Sequence, residues 1–217
     1  MIVLRQGEPF GDPTALKLVH TNPMIKYLTG SPREELKAKL KHYTKFLFVR
    51  SPFIRLISAY RDKFEHYKKA FYDGYGRRML RLYGNQSNPP TTSEEVLSSG
   101  VRPSFNHFVQ YLLDPRTPRP LNEHWKQMHR LCHPCLVEYD FIGHQETLQD
   151  DAKHLLKILK IDNKIEFPPA YKNVTTKDYL LNYFKSVSIE DRQKLYQMYE
   201  MDFKLFGYPK PDGLLGS

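Results

Sequence analysis

The sequence predicts a three-layer α/β fold, a central parallel sheet with helices packed against it. Three observations predict it. Phe46 to Val49 is an apolar, β-favouring run with room for one buried strand, and it passes through Ser51-Pro52 directly into a helical pattern. Two more short apolar runs, Ala15 to His20 and Leu136 to Ile142, have strand length. Between and after these runs, apolar residues recur at helical spacing. Alternation of strands and helices in one chain indicates a parallel sheet covered by helices. No internal repeat and no linker composition divides the 217 residues, so 1–217 reads as one domain.

Taken in order, Ala15 to His20 is a strand, and Ser31-Pro32-Arg33-Glu34 is a capping box that opens a helix reaching His42. The strand Phe46 to Val49 follows. Its helix starts at Ser51, an N-cap residue, with Pro52 at the first helical position, and runs to about Tyr72. Asn85 to Ser93 is a loop by composition, and Thr92-x-x-Glu95 caps a short helix after it. Phe105, Phe108, Val109 and Leu112 form a stripe that stops at Asp114-Pro115. Leu148, Ala152, Leu155, Leu156 and Leu159 mark an amphipathic helix with Lys153, Lys157 and Lys160 off the stripe. A last helix starts near Ser188, continues towards Phe203, and ends at Gly207 and Pro209.

The segment from Arg50 to Ser58 is the most informative. Phe53, Leu56, Ile57, Tyr60 and Phe64 form one apolar stripe, while Arg55, Ser58 and Asp62 fall on a different face. A strand-end arginine, the open amides of a helix start and a helix hydroxyl eight residues on can converge on one anion. From spacing alone, an ordinary βα unit with solvated arginines is the favoured reading.

The run Arg50-Ser51-Pro52-Phe53-x-Arg55-Leu56-x-Ser58-Ala59-Tyr60-Arg61-x-Lys63-Phe64 resembles the 3′-phosphate-binding motif of Golgi carbohydrate sulfotransferases. The resemblance continues at Phe105 to Pro115 (FNHFVQYLLDP), Asn122 to Trp125 (NEHW), Leu131 to Cys135 (LCHPC), Tyr139 to Gly143 (YDFIG) and Asp202 to Pro211 (DFKLFGYPKP). It implies the P-loop-like sulfotransferase fold and 3′-phosphoadenosine 5′-phosphosulfate as co-substrate, with no metal. The implied acceptor is an acidic polysaccharide, chondroitin or dermatan, sulfated at the 4-hydroxyl of N-acetylgalactosamine. The implied location is the lumenal side of the Golgi membrane.

By this resemblance Arg50 and Ser58 grip the 3′-phosphate, and Ser51, Pro52, Phe53, Ile54, Arg55, Leu56 and Ile57 form the turn that shapes the pocket. Ser51 stands where the family usually has Asp or Glu. The family's phosphosulfate loop, resembling Pro-Lys-x-x-Cys-Thr-Asn-Trp-Lys, would precede Met1, and no GxxxxGK[ST] replaces it. The sequence therefore reads as a family member without its first strand and that loop. The expectation is a chain that binds the 3′ end of the nucleotide but transfers sulfate poorly. The alternative is a non-catalytic remnant that binds polyanions or a partner.

His20 is the first candidate for the base that takes the acceptor's proton, because it ends a strand that precedes the nucleotide strand, as in related enzymes. His124 is the runner-up, with Glu123 as a partner. Imidazole suits a base near neutral pH, although a surface role for His20 and a structural role for His124 beside Trp125 fit the sequence as well. Cys132-His133-Pro134-Cys135 has redox-pair or half-zinc-site spacing. Two cysteines without a second ligand pair make zinc weak, and in an oxidising lumen a disulfide is the favoured fate.

The 33 Lys and Arg against 24 Asp and Glu, formally +9, predict attraction to polyanions. The bases are spread among acidic residues, with no zinc-finger, RRM or homeodomain signature, so nucleic acid ranks last. Met1 to Leu4 is followed at once by Arg5, so no secretory or membrane-spanning segment is present, and a membrane anchor would lie upstream. The sequons at Asn85 and Asn173 are compatible with a glycosylated lumenal surface. The 40% hydrophobic content, with 13 Phe and 15 Tyr, suffices for a substantial core.

Overall fold

The structure, a computed structural model, describes residues 28, 30–169 and 177–216. The expected strand over 15–20 with His20, and the sequon at Asn173, lie outside the described residues. In chain order the elements are α1 (Arg33–His42), β1 (Phe46–Val49), α2 (Pro52–Tyr60), α3 (Lys69–Phe71), α4 (Arg77–Tyr83), α5 (Ser93–Ser99), α6 (Phe105–Leu113) and α7 (Met128–Cys132). Then come β2 (Phe141–His144), α8 (Leu148–Ile158), α9 (Lys177–Phe184), α10 (Ile189–Leu205) and α11 (Asp212–Leu215). The chain divides into two compact units, Met1–Phe48 with Cys135–Asn173 and Val49–Pro134 with Val174–Ser217.

In the first unit β1 and β2 pair in a two-stranded parallel sheet. Asp140 fixes the register. Its carboxylate accepts the backbone N–H of Lys45 at 2.7 Å and lies 2.9 Å from the Lys45 ammonium, while its own N–H donates to Lys45 O at 2.8 Å. Those bonds hold the Asp140 carboxyl below its usual range. Within β2, Gly143 lies against the Phe48 ring so closely that a Cβ would overlap it, which explains a glycine inside a strand. Phe48 meets Phe141 edge-on with centroids 6.0 Å apart, and Phe141 stacks on His154 of α8 at 5.7 Å. Asp151 secures the bend into α8 by accepting His144 N–H and the Thr147 hydroxyl, each at 2.7 Å. Ala152 and Leu155 are buried while Lys153, Lys157 and Lys160 are exposed, as the stripe predicts.

Two boundaries here differ from the sequence reading. The α1 helix forms, but Pro32 takes the N-cap position with extended backbone (ψ 146°), so Ser31 sits one residue too early to close a capping box. Glu34 pairs instead with Lys37 at 2.9 Å. The second strand starts at Phe141 rather than Leu136, because the chain turns through residues 134–136 and begins pairing only where Asp140 latches onto Lys45. Leu136 is 83% exposed.

The second unit is helical and built on aromatic packing. Helix α2 buries Phe53, Leu56 and Ile57 on the expected stripe, and also Ile54 and Ala59. Phe53 stacks on Phe184 of α9 at 4.8 Å and meets Phe203 of α10 edge-on at 5.2 Å. Trp125 is fully buried, with Tyr75 at 5.0 Å and Phe108 at 5.5 Å presenting their edges. The helix expected to run to Tyr72 ends at Tyr60. It gives way to a π-turn over Arg61–Glu65, a left-handed residue at Tyr67 (φ 48°), the short α3 and a second π-turn over Tyr72–Gly76. The π-turns rotate Phe64 and Tyr72 inward, a choice of packing over regular hydrogen bonding that periodicity does not report.

Side-chain caps start α5, α6 and α10. Thr92 and Glu95 close the expected capping box of α5, and Ser104 with His107 closes one for α6. Ser188 caps α10, which ends before Gly207 at φ 71°. The deepest polar group is Asp202 of α10, with no exposure. It accepts the N–H groups of Met128 and His129 at 2.7 and 2.9 Å, and its Oδ1 is 2.6 Å from His129 Nδ1. One carboxylate thus satisfies the start of α7. Tyr199, a turn earlier, donates to Trp125 O, so α10 fixes the segment 125–129 at two points.

Candidate functional site

Arg50, Arg55, Ser58, Ala59, Asp62, Glu123 and His124 line an open cleft of about 400 Å³ in the second unit. Its floor is one face of α2, from Arg55 to Ala59. Pro52 occupies the first turn, with Ser51 at the N-cap position and no capping bond from the Ser51 hydroxyl. Proline at that position removes a donor that helix geometry would leave unused and pre-sets the backbone. Arg50 stands where the strand has ended, and Arg55 and Ser58, one turn apart, share the half-buried face of α2.

The wall is the turn Asn122–Trp125, and Arg55 holds it. Its Nη1 donates to Lys126 O at 2.7 Å and its Nη2 to Glu123 O at 2.6 Å. Burial lowers the Arg55 pKa from its usual value, an effect opposed by Tyr199 and Asp202. An arginine keeps its proton against such a shift, so the site retains a fixed cation.

His124 projects from that wall. Its Nδ1 lies 2.7 Å from Asn122 Oδ1, which also accepts the His124 backbone N–H at 3.0 Å. The backbone donor identifies the Asn122 oxygen, so the ring nitrogen facing it carries the proton and Nε2 holds the lone pair. Burial lowers the His124 pKa below its ordinary value, and the Lys63 ammonium adds to the effect. The imidazole is therefore neutral near pH 7. Glu123 Oε1 stands 3.6 Å from Nδ1, and Asp62 is paired with Lys63 at 2.7 Å.

The structure thus brings together Arg50, Arg55, Ser58 and His124. Pro52, Phe53, Ile54, Leu56 and Ile57 are buried in the core and line no part of the cleft. Asn122, which fixes the His124 tautomer, was missed in the sequence reading. The signal was present: an Asx residue two positions before a histidine is placed for a local turn. Asn85 is exposed in a left-handed turn (φ 50°), open to modification. Cys132 and Cys135 are thiols, with no disulfide between them, and burial raises the Cys132 pKa. Among the described residues no group of three His, Cys, Asp or Glu is placed to hold a metal, and no helix is long and apolar enough to cross a membrane.

The sequence that builds this cleft carries a family assignment. The model of the sulfotransferase family matches residues 1–209, and the chain belongs to that family. It is 46% identical over 224 residues to mouse (Mus musculus) carbohydrate sulfotransferase 12, covering 98% of this chain and 54% of that protein. It is 46% identical to the Xenopus laevis carbohydrate sulfotransferase 12, covering 97% and 53%, and 36% identical to rat (Rattus norvegicus) carbohydrate sulfotransferase 11, covering 99% and 61%. The chain therefore spans about half the length of the curated relatives it matches. No solved structure matches it. A sulfotransferase family implies a sulfuryl donor of the 3′-phosphoadenosine 5′-phosphosulfate type, and carbohydrate sulfotransferase relatives imply a carbohydrate acceptor.

Proposed function

We propose that this chain acts in the transfer of a sulfuryl group from 3′-phosphoadenosine 5′-phosphosulfate to the 4-hydroxyl of N-acetylgalactosamine in chondroitin or dermatan, in the Golgi lumen. The single observation that carries the reading is the convergence of Arg50, Arg55, Ser58 and a neutral His124 on one cleft along α2. The Arg50 guanidinium and the Ser58 hydroxyl grip the 3′-phosphate. Pro52 to Ile57 fix the turn from below, through burial rather than contact. Arg55 holds the wall that carries His124.

In the reaction the acceptor oxygen forms a bond to sulfur, the bond from sulfur to the 5′-phosphate oxygen breaks, and the acceptor's proton passes to a base. His20 and His124 are the two candidates, and His124 has the support of a defined tautomer with Nε2 unprotonated. The exposed Asn85 is the site of a lumenal N-glycan.

The test separates nucleotide binding from transfer. Calorimetry with 3′-phosphoadenosine 5′-phosphate reports the cleft, and radiolabelled transfer to chondroitin, followed by disaccharide analysis, reports the reaction and its position. Label on the 4-hydroxyl that disappears in Arg50→Ala supports the reading. A chain that neither binds the nucleotide nor labels chondroitin overturns it.

A further inference from the structure

Beside the cleft, still in the second unit, a row of polar groups leads away from His124. Asn122, which holds His124, also reaches Tyr75 with its Nδ2 3.5 Å from the phenol oxygen. Tyr75 meets the buried Tyr111 edge-on with centroids 6.2 Å apart, and two exposed arginines lie near this pair, Arg78 at the start of α4 and Arg119 in the Pro115–Pro120 loop. Both guanidiniums act on the buried Tyr111 phenol beside Tyr75, opposing the rise that burial causes.

These arginines are anchored on backbone carbonyls. Arg78 Nη2 donates to Arg116 O at 3.2 Å, and Arg119 Nη2 donates to Leu112 O at 3.1 Å. A carbonyl orients a guanidinium without cancelling its charge. The third arginine of the loop, Arg116, is spent differently: it pairs with the buried Asp114 at 2.7 Å, and Tyr83 donates to the same carboxylate at 2.6 Å. That pair locks the loop that carries Arg119. No ion pair joins Arg78 or Arg119 to a carboxylate among the described residues. Holding two exposed cations in place with their charge uncompensated costs self-repulsion, and the arrangement makes sense when an anionic ligand supplies the counter-charge.

We infer that Tyr75, Arg78, Arg119 and Asn122 form an acceptor track, in which Arg78 and Arg119 bind uronate carboxylates of an acidic polysaccharide flanking the sugar presented to the cleft. The proposal rests on the sulfotransferase reading for its direction, from track to cleft, but its test needs no reaction. Binding of unsulfated chondroitin to the full chain is measured without nucleotide, across a series of salt concentrations, with carboxyl-reduced chondroitin as the neutral comparison. The double variant Arg78→Gln, Arg119→Gln should bind chondroitin about five- to thirty-fold more weakly, with a salt slope shallower by about 1–2. The charge-keeping variant Arg78→Lys, Arg119→Lys should retain most of the slope and guards against a folding defect in the glutamine variant. Equal binding of chondroitin and its carboxyl-reduced form, or an unchanged slope in the glutamine variant, overturns the track. A chain that binds chondroitin in this manner yet never sulfates it refutes the reaction and leaves the track standing.

Discussion

Arg55 Nη2 donates to the carbonyl oxygen of Glu123 at 2.6 Å, joining two segments 68 residues apart. With the second bond to Lys126 O, the guanidinium fork clamps the turn that carries His124 onto the helix that carries Ser58. An arginine that sequence spacing places beside the anion is therefore also the brace of the site.

Arg55→Ala should loosen this turn and destabilise the fold. Hydrogen bonds to a charged donor contribute about 1.5–3 kcal/mol each when the acceptors are left unpaired. For a domain of this size the melting temperature falls by about 2–4 °C for each kcal/mol. Arg55→Lys, which has no fork, should recover less than half of the loss. A melting curve for Arg55→Ala that overlays wild type shows the clamp to be dispensable.

Arg50→Ala and Ser58→Ala should weaken binding of 3′-phosphoadenosine 5′-phosphate while leaving adenosine 5′-monophosphate almost unaffected. For Arg50 the loss is about one to two orders of magnitude, the worth of a charge-assisted phosphate bond. Calorimetry with both nucleotides is the measurement. Equal losses for the two would remove these residues from the 3′-phosphate site.

His124 titrates below the usual histidine value of about 6.5 because its site is partly dry and Lys63 is near. The unfolded chain then binds more protons than the folded one below about pH 6.5, so this residue's share of stability is present above that pH. It is lost as pH falls through the folded value. Lys63→Gln removes the neighbouring cation and should move the His124 resonances to a higher midpoint in an NMR titration. An unchanged or lowered midpoint contradicts the assigned cause. If His124 is the base, the acid limb of kcat/KM moves with it.

Asp202→Ala should be among the most damaging single changes in the second unit. It strips the partners from two helix-start N–H groups and from His129, all of which meet one fully buried carboxylate. Leaving such groups unsatisfied costs about 3–5 kcal/mol. Chemical denaturation reads this directly, and a loss under about 1 kcal/mol would show that water replaces the carboxylate.

Gly143→Ala should destabilise the first unit, since a Cβ there overlaps the Phe48 ring and overpacking of this kind costs about 1–3 kcal/mol. The double variant Gly143→Ala, Phe48→Leu should recover part of the loss. If the single change is neutral by thermal melting, Phe48 moves freely and the sheet is looser than its register implies.

The sequence by itself determined what depends on near neighbours. The β1–α2 unit follows from an apolar run ending at Ser51-Pro52, the α5 capping box from Thr92 and Glu95, and the outer face of α8 from its period. The placement of Arg55 and Ser58 on one face of α2 is likewise a matter of angle along a helix, and the family is legible in that same stretch. Tertiary structure decided everything that joins distant segments. Nothing local says that Arg55 reaches Glu123, that Asp202 caps a helix 73 residues away, or that Phe141 rather than Leu136 starts β2. The π-turns after Tyr60 are of the same kind, because Phe64 is buried only once the aromatic core is in place and Tyr72 only once Leu80 and Val96 pack against it. His124 shows both halves: its type and its neighbour Asn122 are in the sequence, but its place beside Arg50 and Ser58 exists only after the chain has folded around Trp125.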